Sequence, residues 1–336
     1  MQYRRLGASG LRVSVLCLGT MMFGDRTEEA EASRIVASAR DAGVNFVDTA
    51  DAYAKGESER MLGRVVAADR ERWIVATKVG NTGAPAPDDV DLSRRHVMRA
   101  IDASLGRLGM DHVDLYYLHL DDAGTPLEET VATMGDLVRA GKVRYWGVSN
   151  FRAWRIAEVA MLADRVGVPR PVVCQPYYNA VNRMPEIEVL PACAHFGLGV
   201  VPYSPLARGV LTGKYRPGES PSAETRAGRG DKRIMQTEFR AESLAVAQKL
   251  KAQAERRGMS AGQFALNWVL NSGAVTSVLA GPRTMEQWSE YLGALGRGFG
   301  AEDEALVDSL VAPGHPSTPG YTDPRYPVAG RQPIVS

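Results

Sequence analysis

Cysteine and histidine are scarce in this chain, with three and five among 336 residues. Cys17, Cys174 and Cys193 show no framework spacing, which excludes a disulfide-stapled fold and reads as buried free thiols of a cytoplasmic protein. Charge of neither sign dominates. The formal net charge is +1 and no basic stripe stands out, which argues against nucleic acid as a partner. Long apolar runs are missing too, so no membrane span is expected. The run that follows Arg4 and Arg5 is short and broken by Arg12 and Ser14, so neither is a cleaved signal. Several catalytic signatures are absent. No G-x-G-x-x-G follows the first apolar run and there is no P-loop, which disfavours an open dinucleotide-binding sheet. No H-E-x-x-H or comparable spacing is present, so no metal site is expected and a metal-dependent barrel hydrolase is improbable. No G-x-S-x-G occurs, which removes a serine hydrolase.

What the chain does contain is alternation. Apolar residues make up 45% and charged residues 24%, the balance of a globular protein. Tyr3–Leu6 and Leu11–Val13, joined by Gly7-Ala8-Ser9-Gly10, read as a hairpin that plugs one end of the fold. Core strands follow at Val15–Leu18, Asn45–Val47, Trp73–Thr77, Val113–Leu118, Val143–Val148, Val172–Gln175, Gly199–Pro202 and Val275–Leu279. Helices separate them, with Ser93 as an N-cap, Pro126 as a first helical residue, and Gly43, Gly109 and Gly141 as stops. Buried parallel strands read as continuous apolar runs, as these do. Eight strand–helix units favour closure into a (β/α)8 TIM barrel over an open sheet. Length alone suggests two domains, but barrels of this size run as one. The expected division is therefore a barrel domain over 1–311, with long strand-end loops, and a Pro/Gly-rich tail over 312–336.

The polar residues that end these strands carry the chemistry. In such a barrel the C-terminal strand ends form one rim, where active sites sit. Asp48, Lys78 and His119 end the second, third and fourth strands, and Tyr53 lies on the loop that leaves the second. Each has a bland reading as a turn cap, a surface lysine, a rim histidine or a packing aromatic. Their coincidence at consecutive strand ends favours function. A phenol keeps its proton to pH ~10 in water, and a nearby ammonium lowers that value. Lys78, held by Asp48, is thus expected to make Tyr53 a proton donor or acceptor near neutrality, with His119 orienting a substrate oxygen. The set protonates a carbonyl but supplies no hydride, so a cofactor must.

With these residues in place the sequence resembles the aldo-keto reductases. The likeness rests on separated motifs that occur in order: GLRVSVLCLGTMMFG (10–24), GVNFVDTADAYAKGESERMLG (43–63), ATKVG (76–80), SLGRLGMDHVDLYYLH (104–119), GKVRYWGVSNF (141–151), QPYYN (175–179), YSPLARGVLTGKY (203–215) and GPRTMEQWSE (281–290). The resemblance implies a (β/α)8 barrel, NADP(H)-dependent interconversion of a small-molecule carbonyl and its alcohol, and a catalytic tetrad of Asp48, Tyr53, Lys78 and His119. It places Gly19, Thr20, Met21 and Asp48 beside the cofactor. Ser149, Asn150 and Gln175 would hold the carboxamide, since such side chains offer both donors and acceptors. Tyr203 would stack on the nicotinamide ring. Ser204, Pro205, Leu206, Ala207 and Arg208 would line the pyrophosphate, with Lys214 and Arg226 reaching the phosphates. Gly281, Arg283, Gln287 and Glu290 would meet the adenosine 2′-phosphate and adenine. Arg283 favours NADPH over NADH, because a guanidinium binds phosphate in bidentate fashion. Tyr291 stands where related chains usually carry asparagine, which puts the adenine contact in question.

The pocket flanks are less specific. Met21, Met22, Phe23, Tyr177 and Tyr178 are either an apolar substrate wall or core filler. The loop 81–91, with Asp88, Asp89 and Asp91, reads as a solvated lid. The tail either folds over the pocket, packs on another subunit or stays disordered. A second function is weighed beside the reductase: β-subunits of voltage-gated potassium channels resemble this family and hold NADPH mainly as regulators. They carry asparagine where this chain has His119, so His119 favours the enzyme.

Overall fold

Strand and helix are set here by local chemistry that can be followed residue by residue. Helix α3 (Arg94–Leu108) starts because Ser93 Oγ accepts the His96 N–H (3.3 Å), and it stops where Gly109 turns left-handed at φ +66°. Strand β5 (Ile74–Val79) is a run of buried residues with a single half-exposed start. In the computed structural model, which describes residues 1–81 and 91–328, such units alternate around one barrel. An antiparallel hairpin, β1 (Tyr3–Arg5) and β2 (Arg12–Ser14), comes first. Eight parallel strands follow: β3 (Leu16–Gly19), β4 (Phe46–Asp48), β5, β6 (Val113–Leu118), β7 (Val143–Ser149), β8 (Val173–Gln175), β9 (Gly199–Val200) and β10 (Val278–Ala280). They lie side by side in chain order, and β10 returns beside β3. Thr276 N–H to Val200 O (2.8 Å) and Leu279 N–H to Pro202 O (3.0 Å) join β10 to β9. This is the expected (β/α)8 architecture.

Alternation along the strands separates two cores. Cys17, Phe46, Leu115, Tyr117, Val173 and Val201 face the barrel interior. Leu16, Leu18, Val47, Val75, Tyr116 and Cys174 face the helices. Those helices are α1 (Glu29–Asp41), α2 (Glu57–Val66), α3, α4 (Leu127–Arg139), α5 (Ala153–Arg165) and α6 (Val189–Phe196), then, after the short α7 (Lys232–Gln236), α8 (Ala241–Arg256), α9 (Ala261–Asn271), α10 (Met285–Leu292) and α11 (Ala301–Leu310). The hairpin is the expected plug: its Leu6 and Val13 join the interior cluster. Gly7 makes that possible. It has φ +56°, and a Cβ there would overlap Val172 O and lie 2.5 Å from Gly197 O. Gly7→Ala is expected to cost at least about 2 kcal/mol, from backbone conformation and overlap together, read as a lower denaturation midpoint with unchanged slope.

Several sequence expectations shift. Lys78 is inside β5 rather than after it, paired with Tyr117 of β6. Pro126 is the N-cap of α4, not its first helical residue. The seventh strand shrinks to Gly199–Val200, because Pro202 lacks the N–H a ladder needs. The eighth starts at Val278, since the Thr276 and Ser277 N–H groups both turn to Val200 O. Helix α11 is not legible in the sequence. It buries only Asp303 and Val307, and its N-cap is Gly300 rather than a serine or threonine. The loop 205–238 contains a 3-10 turn over Ala207–Thr212 and α7, whose N-terminal N–H groups Asp231 caps. The lid reading with Asp88 and Asp89 lies outside the described residues; Asp91 itself accepts from Ser93 Oγ (2.9 Å). No helix among the described residues is long and apolar enough to cross a membrane.

Candidate active site

Parallel strands in register bring the four predicted polar residues to one rim. Asp48 is the last residue of β4 and pairs with Gly19 of β3 and Ala76 of β5. Lys78 lies on β5, and its ammonium extends beneath the rim, fully buried. It donates to Asp48 Oδ1, to Thr49 O (2.7 Å) and to Tyr53 Oη (3.3 Å). Those three bonds use its three donors. The second Asp48 oxygen, Oδ2, accepts from Gln175 Nε2 (3.0 Å) on β8. His119 follows β6, held by its N–H to Val79 O (2.8 Å), and its ring meets Tyr53 edge-on at 6.0 Å between centroids. Tyr53 opens a tight turn in which Ala54 and Lys55 take φ +47° and +55°, which aims the phenol back over the rim.

Burial sets the electrostatics. Burial alone would lower the Lys78 value, but Asp48 and Tyr53 outweigh it and hold the ammonium above its ordinary value. The same desolvation raises Asp48 against the pull of Lys78. For Tyr53 burial also wins: its phenol is raised, with Lys78 opposing. This corrects the expectation of a phenol lowered toward neutrality, because the sequence shows the lysine but not the depth of the site. His119 is held well below the usual histidine range by burial, by Lys78 and by Arg325, so its ring is neutral at neutral pH. The Asp51 carboxyl, pushed up to about 7 by burial and by Glu59, has a buried Oδ1 without a hydrogen-bond partner among the described residues.

Above this cluster opens a cavity of about 870 Å³, large enough for a dinucleotide and a small substrate. Gly19, Thr20, Met21, Asp48, Tyr53, His119, Ser149, Asn150, Gln175 and Tyr203 line one part. Ser204, Pro205, Leu206, Arg208, Lys214, Arg226, Gly281, Arg283, Gln287 and Glu290 line the rest. Of the predicted cofactor residues, Ala207 alone is outside the lining. It is fully buried at φ +48° and shapes the turn instead. The amide-bearing groups are fixed in advance. Asn150 Nδ2 donates to His119 O (3.0 Å) and Ser149 Oγ (3.0 Å), and Tyr203 Oη donates to Asn150 Oδ1 (2.8 Å). Ser149 Oγ donates to Gln175 O (2.9 Å). Non-glycine residues with left-handed backbone gather here: Asn150 (+61°), Ser204 (+56°), Ala207 and Arg208 (+51°). Such strain concentrates where a ligand is clamped.

The far end of the cavity is cationic. Burial, then Arg283, Arg226 and Arg229, lower the Lys214 value, so four positive groups crowd one another. Among the described residues neither Lys214 nor Arg283 has a carboxylate ion-pair partner, and the Arg226–Asp231 pair is loose at 3.9 Å. Arg208 is held by Glu238 (3.1 Å). The Arg283 N–H is accepted by Gln287 Oε1 (2.9 Å) at the start of α10. A nicotinamide dinucleotide fits this set: amide groups at one end, a crowd of cations only partly matched by carboxylates, for phosphates, at the other. Glu290 accepts from Ser260 Oγ (2.6 Å), and Tyr291 lines the wall beside it, so the Tyr291 departure falls at the cavity edge.

The apolar flank is narrower than the sequence suggests. Met21 and Met22 line the cavity. Phe23 is fully buried core, Tyr178 packs on Trp268 at 5.1 Å, and Tyr177 lies under Tyr203 with its hydroxyl on Glu238 (2.8 Å). Residues that sequence reasoning missed include Asn81, Arg325 and Tyr326, all on the cavity wall. Asn81 stands three residues after Lys78, a position the rim rule would have flagged. Arg325 and Tyr326 belong to the tail, which carries no periodic signal. The described part of that tail, 312–328, first packs on residues 181–187 and then brings Arg325 and Tyr326 to the cavity wall. Arg233 grips Asp323 with both guanidinium nitrogens, Arg240 stacks 3.6 Å from the Tyr321 ring centroid, and Arg152 donates to Tyr326 O (2.9 Å) and Pro327 O (3.2 Å). Arg325 and Tyr326 thus agree with a tail that folds toward the pocket, while 329–336 lie outside the described residues. Among the described residues no group of three His, Cys, Asp or Glu side chains could hold a metal ion.

Comparison with known proteins agrees with this geometry. The Aldo/keto reductase family model matches residues 15–312. A probable voltage-gated potassium channel subunit beta of Arabidopsis thaliana is 39% identical over 300 residues, covering 88% of this chain and 91% of its own. Its counterpart in Oryza sativa subsp. japonica matches with the same identity and coverage. The L-glyceraldehyde 3-phosphate reductase of Escherichia coli O157:H7 is 36% identical over 327 residues, covering 94% of this chain and 93% of its own.

Proposed function

The chain belongs to the aldo/keto reductase family of oxidoreductases, and from that premise we propose that it reduces an aldehyde or ketone to the alcohol, reversibly, with NADPH. The observation that carries the reading is the buried Asp48–Lys78–Tyr53 chain, facing His119 at the foot of a cavity with a cationic far end. The bound nicotinamide supplies the hydride. Tyr53 gives the proton to the carbonyl oxygen: its raised value keeps the phenol protonated, and Lys78 stabilises the phenolate left behind. Asp48 keeps Lys78 charged and fixed. Neutral His119 positions the oxygen by donating from Nε2 in its Nε2–H tautomer; in the present contact Nε2 instead accepts from Asn81 Nδ2 (3.3 Å), a long bond given up when the tautomer changes. Asn150, Ser149 and Gln175 hold the carboxamide, and Tyr203 presents its ring to the nicotinamide. Lys214, Arg226 and Arg283 take the phosphates.

Arg283 and the N-terminus of α10 support a preference for the 2′-phosphate. Arg283→Ala is expected to raise the KM for NADPH roughly ten- to hundred-fold, the loss of a charged hydrogen bond, while the KM for NADH changes less than about three-fold. Equal losses for both would place Arg283 elsewhere on the cofactor.

A second reading, a nicotinamide-holding regulatory subunit with little turnover, is favoured by the names of the two plant relatives. NADPH and NADH oxidation against a carbonyl panel separates the two. The panel includes glyceraldehyde 3-phosphate, named in the bacterial relative's activity. Turnover supports the reductase. Tight NADPH binding with no turnover in either direction supports the regulatory subunit.

A further inference from the structure

The reductase reading leaves Arg325, on the cavity wall beside the reacting residues, without a task. Arg325 comes from the strap over 312–328 and lines the same cavity as Tyr53 and His119. Its Nη2 donates to Asn81 Oδ1, and Asn81 Nδ2 lies 3.3 Å from His119 Nε2. The guanidinium is therefore two hydrogen bonds from the atom that faces the reacting oxygen. Its charge is felt there, since it helps to depress His119.

The position is held from both sides. The Arg325 N–H donates to Asp323 Oδ1 (2.9 Å), and Asp323 is gripped by Arg233. Arg152 holds the carbonyls of Tyr326 and Pro327. Yet among the described residues no carboxylate pairs with the Arg325 side chain. Asp323 spends its carboxylate on Arg233 and on backbone, and Asp48 is taken by Lys78 and Gln175. Asn81 uses one of the five guanidinium donors. A guanidinium at a substrate opening with free donors and, among the described residues, no carboxylate partner is a fork for a carboxylate or phosphate.

We propose that Arg325, with Asn81 beside it, selects carbonyl substrates that carry an anionic group a few bonds from the reacting carbon. The proposal rests on the reductase reading and deepens it. When the substrate oxygen displaces Asn81 and accepts from His119 in its Nε2–H tautomer, the Asn81 amide and the Arg325 guanidinium both face the remainder of the substrate. A small acid-bearing aldehyde spans that distance; a long apolar aldehyde gains nothing from it. The strap thus supplies charge selection, while the barrel rim supplies the chemistry.

The test compares kcat/KM on matched pairs: glyceraldehyde 3-phosphate against glyceraldehyde, and succinic semialdehyde against butanal. The wild-type protein is expected to prefer the anionic member of at least one pair by ten-fold or more, and the pair with the larger ratio identifies phosphate or carboxylate as the group recognised. Arg325→Met should lose ten- to hundred-fold on that anionic substrate through KM, and less than three-fold on its neutral partner. Arg325→Lys should recover part of the loss, and added salt should narrow the preference in the wild type. An equal loss on charged and neutral members would reduce Arg325 to a clip for the strap, and no loss would remove it from the site. Turnover of the neutral aldehydes reports on the reductase reading separately. If no carbonyl is turned over, that reading fails, and calorimetric titration with glycerol 3-phosphate and glycerol still decides on Arg325. Selective binding of the phosphate that vanishes in Arg325→Met supports the site; equal or absent binding overturns it.

Discussion

Tyr53→Phe is expected to lower kcat for carbonyl reduction by about 10²- to 10⁴-fold, the usual contribution of a positioned proton donor, and to leave NADPH affinity within a factor of about two. The substitution removes one oxygen and keeps the ring that meets His119 edge-on. Asp48, Lys78 and Thr49 keep their mutual bonds, so the site does not collapse. The pH dependence carries the same signature. A raised phenol stays protonated through neutrality, so reduction stays level and is lost only as pH climbs past the ordinary tyrosine value of ~10. His119, depressed by burial, adds no break between about pH 6 and 8. Titration of kcat from pH 5 to 11 checks both, and an early fall centred near pH 6.5 would show that His119 is the acid.

The second large effect concerns Lys78. Its ammonium is fully buried and satisfied by a carboxylate, a backbone carbonyl and a phenol. Lys78→Met is expected to abolish measurable turnover and to cost about 3–5 kcal/mol of stability, because Asp48 is left buried without its counter-charge. The double variant Asp48→Asn, Lys78→Met should recover most of that stability and none of the activity, since two neutral groups fill the same space. Denaturant titration of the single and double variants reads the coupling. Additive losses would show that the pair is not a unit.

The fold was largely readable because its signals are local. Ser93, Gly109 and the eight apolar runs each announce an element without knowledge of the rest. The tetrad was readable for a related reason: parallel strands in register turn "last residue of a strand" into "same rim", so Asp48 and His119 could be joined across distant sequence. Direction was readable, but depth was not. Burial of the rim reverses the expected shift of Tyr53, and nothing in the order of residues reports it. The flank stayed open between substrate wall and core filler for a similar reason. Phe23 and Tyr178 have the composition of a substrate wall, yet their side chains turn into the core, against the helices and Trp268. The strap was least legible. It has no periodicity, and what holds it is a set of arginines, Arg152, Arg233 and Arg240, contributed by other parts of the chain.

The central claim is that this rim moves a hydride and a proton to one carbonyl. The most direct test uses NADPH deuterated at the transferring position, a carbonyl from the active pair, and mass spectrometry of the alcohol. One deuterium on the carbinol carbon, formed by the wild-type protein and lost in Tyr53→Phe while NADPH still binds, is the predicted result. Firm NADPH binding with no deuterium in any product would contradict it and leave a cofactor-holding protein in place of an enzyme.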